Sequence, residues 1–313
     1  MKELDDLIDK AVLLDKKSVG ELISIFEDSR GGIAEKRKYI IQALQNKSKI
    51  NSVFIGITGA PGSGKSSLIG RIAPLLINAK PGISAAVLAV DPSSKISGGS
   101  ILGDRIRARF PPHEIRLFFR SQASENESGG TGRSTFQVSR VLRYLFDIVI
   151  IETVGTGQED TDITQLSDKV FLVLQPNSGD RIQFIKAGIM EIPDFIILNK
   201  CDEDNADESF NEISNSVQFS GKNNSHLLKA SAVTGEGLDE ISEIMLNIKK
   251  EKNQFEIDLF YFNKWIQSEY GNMGMAVMEK HSGTESILSE ENYFEDAVLR
   301  AEGIIKKALE SNK

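Results

Sequence analysis

The chain of 313 residues is 40% hydrophobic and 26% charged, enough to bury one sizeable core with smaller appendages. Its formal net charge of -8 speaks against a nucleic-acid-binding surface, and its single cysteine, Cys201, excludes an internal disulfide framework and suits a reducing compartment. His113, His226 and His281 are scattered without metal-ligand spacing, the N-terminal MKELDDLIDK lacks a signal-like apolar core, and no run approaches a membrane span, so a cytoplasmic protein without a membrane or nucleic-acid partner is expected.

Residues 1 to about 46 carry helical periodicity. Leu4, Leu7, Ile8, Ala11 and Leu14 share one face, and Leu22, Ile23 and Phe26 share another. Ser18 with Glu21 three residues on predicts a capping box for the second helix. From about residue 50 to 248, short apolar runs alternate with helical patterns, at 53–57, 85–90, 148–151, 170–174, 195–198 and 227–230. Near-continuous apolar strands separated by helices predict an α/β fold: a mostly parallel sheet covered by helices on both faces. Beyond residue 250 the pattern returns to helices at 255–270 and 297–309. The expected division is an N-terminal helical extension over 1–48, a nucleotide-binding domain over 49–250 and a C-terminal helical region over 251–313.

The first apolar run leads into GAPGSGKSS, residues 59 to 67, and then into the helical pattern LIGRIAPLL. Gly59, four residues, Gly64, Lys65 and Ser66 reproduce the P-loop in the strand-then-helix context that confirms it, and this makes the fold a P-loop NTPase. Gly59, Pro61, Gly62, Ser63 and Gly64 let the backbone turn with N–H groups aimed at phosphate, at the positive end of the following helix. Lys65 is expected to reach the β- and γ-phosphates, and the hydroxyls of Ser66 and its neighbour Ser67 lie where a magnesium nucleotide would sit.

In parallel sheets ligands bind beyond the carboxyl ends of the strands, and further polar residues recur there. AAVLAV ends in DPSS with Asp91, and DIVIIETVGTGQ delivers Glu152 and Gly155. A carboxylate at such a strand end suits a magnesium site. SGGSILGD, residues 97 to 104, ends in Asp104; its composition fits equally a loop closing on the γ-phosphate and an ordinary surface turn. FIILNKCD then places Asn199, Lys200 and Asp202 at another strand end. In this pattern the Asp202 carboxylate accepts from the two guanine donors that adenine lacks, and a wrong base leaves buried polar groups unpaired. KASAVTGEGLDE follows, with Ser231, Ala232 and Val233 expected to supply backbone donors to the base oxygen.

GAPGSGKSS, VLAVDPSS, GGSILGD, DIVIIETVGTGQ, GDRIQFIKAGIMEIPD and NKCD, spread over most of residues 50 to 235, resemble the MeaB/ArgK-type G proteins, associated with methylmalonyl-CoA mutase and formerly described as lysine-arginine-ornithine transport ATPases. The resemblance implies a GTPase, homodimeric in the family, that gates adenosylcobalamin loading and protection of an acyl-CoA mutase. It implies GTP and GDP as substrate and product, magnesium held by Ser66, Asp91, Asp104 and Glu152, and Lys65, Asp104 and Glu152 as the catalytic set. Asp180, Gln183 and Lys186 match a nucleotide-responsive switch of the family, although GDRIQ also fits a helix cap. Alternatives of other kinds are a transport-associated ATPase or kinase, against which NKCD argues, a nickel metallochaperone, for which no metal-delivery cluster is visible, and a nucleotide-gated binding module for another client. The motif reads ETVG followed by Thr156, with no glutamine directly after Gly155 to orient water, so slow intrinsic hydrolysis is expected.

Overall fold

The computed structural model describes residues 2–28, 30, 32–48, 51–91, 110, 113–123, 133–153, 161–176, 193–219 and 226–311. Three helices come first: α1 (Lys2–Val12), α2 (Lys16–Glu27) and α3 (Ile33–Lys47). Strands and helices then alternate through β1 (Val53–Thr58), α4 (Lys65–Ala79), β2 (Ala85–Asp91), β3 (Leu117–Ala123), α5 (Arg133–Leu142), β4 (Ile148–Thr153), α6 (Thr161–Leu166), β5 (Lys169–Leu174), β6 (Phe195–Leu198), α7 (Ala206–Phe219), β7 (His226–Lys229) and α8 (Leu238–Asn247). The chain closes with α9 (Gln254–His281), α10 (Thr284–Glu290) and α11 (Phe294–Ser311).

The strands form one sheet in the order β3-β2-β4-β1-β5-β6-β7, and every neighbouring pair is parallel, as the alternating pattern predicts. Its two faces follow the period of two along each strand. Ile55, Ile57, Ile148, Ile150 and Phe171 pack under α4 and α8, whereas Phe54, Leu88, Val149 and Ile151 pack under the terminal helices. That second core is shared: Leu22, Phe26 and Leu44 from the N-terminal helices, Phe136 from α5 and Phe262, Trp265 and Ile305 from the C-terminal helices belong to one buried cluster.

The chain at residues 251 and 252, ahead of α9, is anchored through the buried side chain of Asp168. One carboxylate oxygen accepts the Glu251 and Lys252 N–H groups at 2.7 and 2.9 Å, and the other accepts the Phe54 N–H at 2.8 Å.

Three local expectations change. The N-cap of α2 is Asp15, whose Oδ1 accepts both the Ser18 N–H at 2.9 Å and its hydroxyl at 2.6 Å. Ser18 is thus the third residue inside the helix rather than its cap, because a carboxylate one turn earlier is the stronger acceptor for the orphan N–H groups. Strand β3 has no counterpart among the apolar runs: only LFF is apolar, and Arg120 and Gln122 turn to Glu27 of α2. Finally, the helix begun at residue 254 continues to His281 across a break at Gly271, whose φ of 60° is open to glycine and strained for other residues.

Candidate nucleotide site

Because every strand runs the same way, their carboxyl ends share one edge of the sheet. Thr58, Thr153, Leu174, Leu198 and Lys229 end their strands there, and the segments that follow carry the sequence motifs.

The loop after β1 is shaped by glycine. Gly59 has φ 145°, and a side chain there would put its Cβ 2.2 Å from the Val173 carbonyl oxygen of β5. Gly64 opens α4 with φ 89°, and a Cβ on it would meet Asn199 Nδ2 at 2.3 Å. The loop therefore lies directly against β5 and the NKCD turn, an approach that only glycine allows. Lys65, 7% exposed, donates to the carbonyl oxygens of Gly59 and Ala60 at 2.6 and 3.0 Å, so its ammonium is held inside the loop. The Ser63 hydroxyl is buried in the same loop without a hydrogen-bond partner among the described residues.

Ser66, at the second position of α4, donates through its hydroxyl to Glu152 Oε1 at 2.6 Å. Register explains the meeting: Glu152 pairs with Ile57 of β1 on one side and Ala89 of β2 on the other, one residue before the end of β4. A hydroxyl and a carboxylate thus converge beside the helix N-terminus. Pro61, Gly62 and Ser67 lie exposed on the rim.

Asn199 joins the loop to the second motif. Its Nδ2 donates to the Ser63 carbonyl at 2.8 Å, and its Oδ1 accepts the Ala232 N–H at 3.2 Å. Lys200 follows with a left-handed φ of 59°, and its ammonium donates to Gln175 Oε1 at 2.5 Å. The Asp202 side chain stands exposed in the turn. Between them, burial first and then the Glu236 carboxylate, by hydrogen bond and by charge, push the Cys201 thiol up to about 11.

The Ser231 N–H donates to the Glu236 carbonyl at 3.0 Å and the Ala232 N–H to Asn199, so both N–H groups have partners within the protein. The Val233 N–H turns to the Ser231 hydroxyl at 3.2 Å, because the serine side chain closes its own turn. Sequence reasoning also passed over Gln175, since a glutamine after an apolar run carries no motif of its own. Asp104, Gly155, Asp180, Gln183 and Lys186 lie outside the described residues, and of Asp91 only the backbone is described.

A parallel sheet with a glycine-shaped phosphate loop between its first strand and the following helix defines a P-loop nucleotide hydrolase. The profile of the family described as methylmalonyl Co-A mutase-associated GTPase MeaB matches residues 19–256, and the chain belongs to this family of GTP-binding, GTP-hydrolysing proteins. A GTPase of Pyrococcus horikoshii is 34% identical over 257 residues, covering 80% of this chain and 79% of that protein. The methylmalonic aciduria type A homolog, mitochondrial, of Caenorhabditis briggsae is 38% identical over 151 residues, 48% of this chain and 36% of that protein. The crystal structure of a LAO/AO transport system kinase shares the fold, with a TM-score of 0.61 at 21% identity over 93% of this chain and 90% of that one.

Proposed function

We propose that the chain binds GTP with magnesium along this sheet edge and that the bound nucleotide governs its association with an adenosylcobalamin-dependent acyl-CoA mutase, methylmalonyl-CoA mutase foremost. The observation that carries the nucleotide assignment is the Asn199 bridge, in which one side chain holds the phosphate loop and the 231–237 turn together. A ligand with a phosphate chain at one end and a base at the other would span the parts so joined.

In this reading the backbone of residues 59–64 cradles the phosphates, and Lys65 exchanges its two carbonyl acceptors for β- and γ-phosphate oxygens. The Ser66 hydroxyl and the Glu152 carboxylate, with Asp91 and Asp104, hold magnesium; an all-oxygen set of this kind fits a hard cation. The ion, when bound, neutralises charge on the phosphate oxygens during transfer to water. Asp202 reads the guanine donors, and Gly155 is assigned to the nucleotide by its motif alone.

The mutase partner rests on the family's description and on the name of the C. briggsae relative, both of which point to methylmalonyl metabolism. Homodimerisation, gating of cobalamin loading and the three-part division at residues 48 and 250 belong to the same proposal. A protein that gates a partner must bind it differently in its GTP and GDP forms, since a nucleotide shifts only what it binds differentially.

Steady-state GTP hydrolysis, measured alone and with a methylmalonyl-CoA mutase from the same cell, tests the reading. Alone, turnover below about one per second is expected, because no glutamine directly follows Gly155. Stimulation of tenfold or more by the mutase would support the partner (about 1.4 kcal/mol of barrier). No stimulation together with no complex would remove the partner and leave the GTPase.

A further inference from the structure

We infer that Gln175 is a positioning residue for the nucleotide base: it holds the Lys200 side chain of the NKCD turn in place and so sets nucleotide affinity without taking part in phosphoryl transfer. The inference rests on the reading of the sheet edge as a guanine-nucleotide site.

The geometry has three parts. Gln175 stands one residue beyond β5, at the same edge as the phosphate loop, and its Oε1 accepts from the Lys200 ammonium at 2.5 Å. The Asn199 N–H, next door, donates to the carbonyl of Leu174 at 2.9 Å, so the end of β5 carries the NKCD turn through one backbone bond and one side-chain bond. Pro176 follows Gln175 and is buried, and a residue before proline is confined to extended backbone, which fixes the direction from which the amide reaches across.

The chemistry explains the residue type. Lys200 is half-buried, with a side-chain exposure of 36%, and its backbone is held in the left-handed region by Cys201 N–H donating to the Ala230 carbonyl at 3.0 Å. Its long stem has many rotamers to lose, and Glu203, 4.0 Å from the ammonium, draws it toward solvent. The neutral amide oxygen of Gln175 fixes the head without neutralising it. With its head fixed, the methylene stem loses less freedom when a purine packs against it. The expected loss on removing the acceptor is that of one hydrogen bond to a charged group, about tenfold in affinity.

The test is a double-mutant cycle read by GTP and GDP binding and by kcat and KM, using the full chain with Gln175→Ala, Gln175→Glu, Lys200→Ala and the double replacement. Gln175→Ala is expected to weaken both nucleotides and raise KM about tenfold while kcat stays within about twofold. Gln175→Glu keeps an acceptor oxygen and is expected to stay within about threefold of the parent, which separates a lost contact from a damaged fold. In the Lys200→Ala background Gln175→Ala should add nothing, because the partner is already gone. Binding by Gln175→Ala equal to the parent, or losses that multiply in the double variant, would overturn the inference. Equal binding of ATP and GTP by the parent chain would overturn the guanine reading instead, and the cycle run on either nucleotide would still decide whether Gln175 acts through Lys200.

Discussion

The two faces of the sheet are closed by different means. Under α4 and α8 the core is apolar and mostly aliphatic, with Leu68, Ile72, Leu76 and Ile241 fully buried alongside Phe171. Under the terminal helices the apolar core also encloses charge. Arg140 of α5 makes a two-pronged bond to Glu295 of α11 at 2.5 and 2.9 Å, with the side chains only 6% and 5% exposed, and the guanidinium lies 5.0 Å from the Phe294 ring centre. Nearby, burial pushes the Asp258 carboxyl of α9 up and the guanidinium of Arg143, in the turn after α5, down. Apolar contact alone tolerates many arrangements, whereas a buried ion pair is satisfied in only one. The face under α4 and α8 is thus held by volume, and the face that joins the two ends of the chain is held by direction as well.

That contrast can be broken by mutation. Glu295→Ala leaves the Arg140 charge buried without its carboxylate and should cost about 3–5 kcal/mol in chemical denaturation. Replacing both partners at once, Arg140→Met with Glu295→Leu, should recover most of that loss if the pair supplies specificity rather than net stability. On the other face Leu76→Ala removes volume only and should cost about 2–5 kcal/mol, and no second polar change is available to offset it. The smallest effect sharpens the comparison at its margin. Asp15→Ala, which removes the cap of α2, should cost about 1 kcal/mol and leave GTP hydrolysis per folded molecule unchanged, since the cap lies in the terminal-helix layer.

Contacts between the helical layer and the sheet edge also join regions distant in sequence. Lys264 of α9 pairs with Asp162 in the first turn of α6, and Arg133 at the start of α5 pairs with Glu269 of α9 at 2.7 Å. Helix α6 is the next helix after β4, the strand that carries Glu152, so α9 is tied to the element that follows that strand. Such pairs are partly exposed and individually weak, and their place in the fold matters more than their energy.

The pattern around the phosphate loop was legible beforehand because it obeys local rules. Gly59 and Gly64 stand where the loop backbone demands glycine, Lys65 and Ser66 open the helix that follows, and the apolar runs before Glu152 and Asn199 announce strands. Strand β3 was missed because Arg120 and Gln122 serve Glu27 of a distant helix, which breaks the apolar run that marks a buried strand. The internal partners of the Ser231 and Ala232 N–H groups could not be read from the sequence, since only the folded turn brings Glu236 and Asn199 to them.

The sequence by itself determined the parallel α/β order, the phosphate loop and the guanine-type motif, because each depends on backbone preference and periodicity within a few residues. Only the tertiary structure decided that Asn199 bridges loop and turn, that Gln175 reaches Lys200, and that Arg140 meets Glu295 across 155 positions. Those contacts depend on which strands become neighbours and on how far each side chain reaches across the gap, and neither quantity is encoded in any local stretch of the chain.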